Sequence, residues 1–369
     1  MKIKNLLFYL FMAIISFGLS SSESAEALFT QEYFKPLHNV SAQYEDKSMI
    51  PASKEKHIRQ KIRDYLISNH VSGSIAVVKN NKKLFSEGFG YSDVYNRSLN
   101  RPSTTYPIGS ITKTIVATCI LQLQERGKLT IQDPVSKYVP NLTNRNNVKI
   151  VHLLNHTSGI QSPIWHVEDK LPKDIIKKAG KRSSKFLAGS QWDYNDINYL
   201  VLGYIVEKVT GSNLHEYIEK NIFKKASMVT AGFITSQDPF PFTSNGYIKT
   251  AERLINSSHL NAYLLFGCGD IYATAYDLCL FDEALMSGKL ISNQSLKEML
   301  TPSSKSSYGL GVYHSGDRIY SRGVVGGWES LHVYFKDKTS VVLLLNVRDR
   351  ERNIKKVATD IYRITTEKL

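Results

Sequence analysis

Gly109-Ser110-Ile111-Thr112-Lys113-Thr114-Ile115-Val116-Ala117-Thr118-Cys119-Ile120 is the stretch on which fold and chemistry both turn. A loop gives way here to a predicted helix over 112–127, apolar on one face and closed by Gly127. Ser110 and Lys113 stand three positions apart, so at the head of a helix the hydroxyl and the amine share a face. The first turn of a helix also offers unpaired N–H groups and the positive end of a dipole. Both favour a neutral amine and stabilise an oxyanion. A neutral Lys113 would take the Ser110 proton and make the serine a nucleophile. The S-x-x-K spacing alone arises often by chance, so its company decides.

Working outward, Leu154-Asn155-His156-Thr157-Ser158-Gly159 is followed by Tyr194-Asn195-Asp196, directly before a helical run at 199–209 that ends at Gly211. Gly326-Gly327 lies near the start of a late strand. A helix is expected from Lys56 to Ser68, then strands over 72–78 and 84–91 separated by Asn80-Asn81. The middle of the chain reads as helical. From Asp270 onward come a helix near 276–286, strands over 308–313, 318–324, 331–335 and 341–346, and a last helix over 353–366. Strands at both ends of the chain can share one antiparallel sheet covered by the terminal helices. The helical middle then forms a second lobe, and the seam between them is the expected site.

Composition sets the frame for these motifs. The 369 residues are 42% hydrophobic, 22% charged and 11% aromatic, a globular balance that excludes collagen, a disordered tail and a multi-span membrane protein. Lys and Arg number 47 against 33 Asp and Glu, a net charge of +14 that favours polyanionic partners. Lys2 and Lys4 precede an apolar run from Leu6 to Leu19, then small residues through Ala27. That pattern is a secretory signal or an uncleaved anchor over 1–27, with a tether over 28–55. Export makes nucleic acid an unsuitable partner. Cys119, Cys268 and Cys279 are too few for a disulfide framework and lack zinc-site spacing, so no metal and no cofactor is expected.

The ordered set Ser110-x-x-Lys113, His156-Thr157-Ser158-Gly159, Tyr194-x-Asp196 and Gly326-Gly327 resembles the serine β-lactamase and penicillin-binding protein superfamily, particularly its class C-like and D-alanyl-D-alanine peptidase members. The likeness runs from about Ser72 to Ile364, including Asp133-Pro134-Val135-Ser136-Lys137-Tyr138-Val139-Pro140. It implies an α+β, β-lactamase/DD-peptidase-like fold over 56–366, with a sheet lobe at about 56–105 and 270–366 and a helical lobe at about 106–269. Within that resemblance Ser110 is the acylated nucleophile, Lys113 its base and Tyr194 the proton shuttle, while the turn holding His156 is structural.

Two departures from the family pattern bear on substrate. Asp196 replaces an asparagine, and Val324-Val325-Gly326, followed by Gly327 and Trp328, stands where the family has K-T-G or H-T-G. A carboxylate clamp is therefore expected to be missing, while Gly327 is expected to lend an N–H to an oxyanion hole and Trp328 to wall the site or fill core. Asp196 would repel an anion and attract an ammonium group, or else would cap the helix that follows. The sequence looks most like the teichoic acid D-alanyl esterases, which implies a D-alanylated teichoic acid or another anionic cell-wall polymer as partner. It also implies a secreted or membrane-anchored place at a Gram-positive cell surface, with possible membrane-surface association. A D-alanyl-D-alanine carboxypeptidase or low-affinity penicillin-binding protein is the competing reading, and a non-catalytic cell-wall binding protein the third.

Overall fold

The computed structural model describes residues 52–140, 142, 147–163, 171–251 and 253–367. The expected leader and most of the expected tether lie outside these residues. Helix α1 (Ala52–Ser68) begins ahead of the expected Lys56, because Glu55 is already buried and ion-paired to Arg59 one turn later. Strand β1 (Gly73–Lys79) then turns into β2 (Lys82–Phe89) through Asn80 and Asn81, whose φ angles of 50° and 63° suit the tight hairpin that asparagine tolerates.

The rest of the main sheet comes from the far end of the chain: β3 (Tyr313–Ser315), β4 (Arg318–Val325), β5 (Trp328–Phe335) and β6 (Thr339–Leu345). Their order is β3-β4-β5-β6-β1-β2, six strands, and every neighbouring pair in this sheet is antiparallel. Gly73 faces Leu345 and Lys79 faces Thr339, so the two ends of the chain close on each other at the sheet's centre. On one face, Ile75, Val77, Leu331, Val333 and Leu343 pack against Ile62 and Leu66 of α1 and Ile361 of α6 (Ile354–Thr366). Alternation sends Ala76, Val342 and Leu344 to the other face, where they join the larger core with α5 (Ala275–Met286).

Helix α2 (Thr112–Glu125) departs from its expected single apolar face. It is buried on every side from Thr112 to Leu123 and packs on α4 (Ile197–Thr210) at the centre of the helical region. Two of its polar residues bond to loop carbonyls there: Thr114 donates to the Gly311 carbonyl at 2.7 Å, and Gln122 to that of Leu290 at 2.9 Å. Helix α3 (Pro172–Gly180) packs on α4 through Ile175, Ile176 and Ala179. Among the described residues no helix is long and apolar enough to cross a membrane.

Candidate active site

Gly109 has φ +51° and opens a 3-10 turn, Gly109–Ile111, that runs straight into α2. This turn holds Ser110 at the seam between the sheet and the helical region. A Cβ on Gly109 would stand 3.2 Å from the Val324 nitrogen, so the turn lies directly against β4. Lys113 is fully buried and its Nζ donates to Ser110 Oγ at 2.9 Å and to the Cys268 carbonyl at 3.0 Å. Its third contact is an ion pair with Asp196 Oδ1 at 2.7 Å, where the Asp196 side chain is 56% exposed. An ammonium carries three N–H donors, and these three acceptors use them all.

The expected neutral Lys113 is thus corrected. Burial presses the pKa of the group down, but electrostatic interactions with Tyr194, Asp196 and Cys268, among them contact with the Asp196 carboxylate, outweigh it and hold Lys113 well above the ordinary lysine value. The helix-head field is the weaker influence beside a carboxylate in contact. At rest this lysine is a cation aimed at the serine.

Asp196 occupies the position before α4 but makes no capping bond, which removes the helix-cap alternative. Asn195 does that work instead: its side-chain oxygen accepts from the Ile197 N–H at 3.3 Å and from the Ser162 hydroxyl, while its amide donates to the Ile160 carbonyl. Relieved of capping, the Asp196 carboxylate turns to Lys113. Tyr194 presents its ring to the Lys113 ammonium, 5.0 Å from Nζ to the centroid, and packs at a tilt against the His156 ring, 4.3 Å between centroids. His156 is scaffold: buried, at φ +58°, it accepts the Asn195 N–H on Nδ1 at 3.2 Å. Burial, then the Lys113 charge, push its pKa well below the usual value and leave it neutral. Ser158 donates to Asn198 at 2.6 Å and fixes the same turn.

The strand side revises the expected register. Gly326 and Gly327 form the two-residue turn between β4 and β5, with Val325 opposite Trp328. The Gly327 N–H is bonded to the Ser257 carbonyl at 3.0 Å and is not available to an oxyanion. Gly326 lies over the same Ser257 carbonyl, 2.4 Å from where its Cβ would be. Trp328 is 1% exposed, donates its indole N–H to Ser244 at 3.0 Å and packs edge-on against Phe242. All three belong to the packing at the sheet's end.

The part of β4 that passes Ser110 is Gly323-Val324. A Cβ on Gly323 would fall 2.0 Å from the Ile108 carbonyl, so only glycine admits the turn there. Val325 and Trp328 close the hairpin as a hydrogen-bonded pair, and Val324 across from Glu329 is therefore a non-bonded pair. Its N–H points away from β5, and β3 covers β4 only at Arg318–Tyr320. At this point the turn that carries Ser110 lies against β4, with the Val324 nitrogen 3.2 Å from the Cβ position of Gly109. Ser321 lies on the same face of β4 as Gly323, where it meets the Thr114 hydroxyl at 2.8 Å, while Arg322 turns to the opposite face and pairs with Glu329. No cation of the strand faces the serine.

Three contributors escape sequence reading. Cys268 acts through its carbonyl, which carries no residue signature, although Gly267 at φ +66° and Gly269 mark a close approach. Tyr199 donates to the Leu154 carbonyl at 2.7 Å and backs the Lys113 ammonium at 5.9 Å. Tyr308 stands edge-on to Tyr194 at 6.1 Å and joins Trp192 in an aromatic wall.

Comparison with known proteins gives the family and the fold. The Beta-lactamase family model matches residues 58–362. The chain is 35% identical to PbpX of Bacillus subtilis (strain 168), whose name assigns it provisionally to the penicillin-binding proteins, over 89% of this chain and 85% of that protein. It is 30% identical to the teichoic acid D-alanine hydrolase of Staphylococcus aureus, over 82% of this chain and 78% of that protein. The crystal structure of FmtA from Staphylococcus aureus superposes with a TM-score of 0.77 at 27% identity, covering 92% of this chain and 96% of that one.

Proposed function

The chain belongs to the beta-lactamase family of serine hydrolases, and on that premise we propose that it removes D-alanyl esters from teichoic acids at the bacterial cell envelope. The observation that carries this reading is the Asp196 carboxylate, which contacts the buried Lys113 and still exposes more than half of its side chain, 56%, beside Ser110. A D-alanyl ester offers a free ammonium for that carboxylate and has no carboxylate of its own to be repelled. A peptide ending in D-alanine has one, and no cation of β4 faces the serine to hold it. Similarity to a teichoic acid D-alanine hydrolase supports the same choice.

The ion pair also gives the reaction a trigger. An arriving ammonium competes with Lys113 for Asp196, and the added positive charge favours loss of the Lys113 proton to solvent. The free amine accepts the Ser110 proton as Oγ attacks the ester carbonyl. The N–H groups of Ser110 and Val324 stabilise the oxyanion. Lys113, through the Tyr194 hydroxyl, returns the proton to the departing polyol oxygen, leaving a D-alanyl ester on Ser110. Water, deprotonated by the same amine, attacks the acyl-enzyme carbonyl, and Lys113 returns that proton to Ser110 Oγ as the ester bond breaks and D-alanine is released.

Incubation with purified D-alanylated teichoic acid tests the reading. Wild type should release D-alanine, and a folded Ser110→Ala protein should release none above background. Release of D-alanine from a pentapeptide, with none from the polymer, would transfer the assignment to a carboxypeptidase.

A further inference from the structure

We infer that the outer face of α3 is a binding strip for the phosphodiester backbone of the polymer whose ester enters the site. Lys173, Lys177 and Lys181 recur at four-residue spacing along this helix and its C-terminal cap, and all three are exposed. At a rise of 1.5 Å per residue, successive lysines stand about 6 Å apart on one side of the helix. Among the described residues none of the three takes part in an ion pair. The opposite side of α3 is apolar and fixed against α4, so the strip is held rigidly. Lys178 and Arg182 add to the positive charge, against Asp174 as the acid within 172–182.

The strip leads to the catalytic seam. Arg182 donates to Gln161 at 3.0 Å, and Ser162, the next residue, donates to Asn195. Lys185 pairs with Asp193 at 2.7 Å, one residue before Tyr194. The C-terminal end of α3 is therefore tied to the segment that carries Asp196. The resulting charge pattern is an acid at the seam and a row of cations beside it. A polymer with ammonium side groups on an anionic backbone is its complement. An anionic bilayer fits less well: Leu171 and Leu187 are exposed singly rather than as a contiguous apolar face, and insertion needs such a face.

This inference rests on the esterase reading for the identity of the polymer, and its test does not use turnover. The probe is purified poly(glycerol phosphate) stripped of D-alanine, bound to full-length Ser110→Ala protein at two salt concentrations. Changing Lys173, Lys177 and Lys181 together to Gln should weaken binding at least tenfold and flatten its salt dependence by roughly two counterions. A charge-matched control changes Lys56, Lys82 and Lys336 to Gln; these are exposed at the other end of the sheet, and the change should move affinity less than twofold. Equal loss in both variants would reduce the strip to net charge and overturn the inference. So would loss of binding to phosphatidylglycerol vesicles with polymer binding intact. Matching thermal melts guard against misfolding. Absence of D-alanine release by wild type would sink the esterase reading while leaving this binding comparison interpretable.

Discussion

The head of α2 and the β4–β5 hairpin both carry motif residues, yet the structure uses them in opposite ways. At the helix head, side chains converge: Lys113 alone touches Ser110, Asp196 and Cys268. At the hairpin, they disperse into packing: Gly327 serves Ser257, and Trp328 serves Ser244 and Phe242. The reason is periodicity. Three positions on a helix always return to one face, whereas one or two positions on a strand exchange its faces or move the contact past the site. A helix motif fixes its own geometry, and a strand motif waits for its turn to be placed.

The largest effect expected from breaking this contrast is at Lys113. Lys113→Ala removes the group that takes and returns the serine proton, and should lower kcat for D-alanyl ester release by several orders of magnitude. Because the ammonium also satisfies the exposed Asp196, a thermal melt should accompany the steady-state kinetics. Activity within tenfold of wild type in a folded Lys113→Ala protein would move the base elsewhere.

How much of this was legible follows from the same distinction. The α+β layout with its antiparallel sheet was readable, because buried strands such as Gly73–Lys79 and Thr339–Leu345 are apolar runs bounded by turn residues. The Ser110–Lys113 contact was readable from spacing alone. The charge state of Lys113 was not, since it depends on Asp196 arriving from α4, a tertiary fact that no local pattern encodes. Nor was the division of labour between Asn195 and Asp196, where either side chain is a competent cap. The strand motif was read three residues too late. The Gly109–Val324 and Gly323–Ile108 contacts, both tertiary, fix which part of β4 passes the serine.

A smaller effect sharpens the helix side. Asp196→Asn should reduce kcat/KM for D-alanyl esters by roughly ten- to a hundredfold, the size of one charge-assisted contact, while sparing their N-acetylated counterparts. The pH dependence has a definite sign. The amine form of Lys113 is the active base, so activity rises with pH through its pKa, and Asp196 holds that pKa up. Without the carboxylate, burial counts for more, and the acidic limb of kcat/KM for the N-acetylated ester should move to lower pH. A limb that stays in place, with an unchanged ratio of the two esters, would leave Asp196 as scaffold.

The smallest catalytic effect is expected at Trp328, where the two regions make opposite predictions. If this side chain walled the substrate cleft, trimming it would disturb ester binding and lower kcat/KM tenfold or more. The structure buries the ring against Phe242 and over Gly246, whose Cβ position lies 2.7 Å from it, and satisfies its N–H on Ser244. Trp328→Phe therefore removes a core hydrogen bond and leaves a small void, a loss of about 1–3 kcal/mol. In a domain of this size that should lower the melting temperature by several degrees. Since neither Ser110 nor Lys113 touches the ring, kcat/KM should stay within about twofold of wild type below the transition. Loss of stability without a change in activity would confirm the hairpin as packing, and the reverse outcome would return Trp328 to the site.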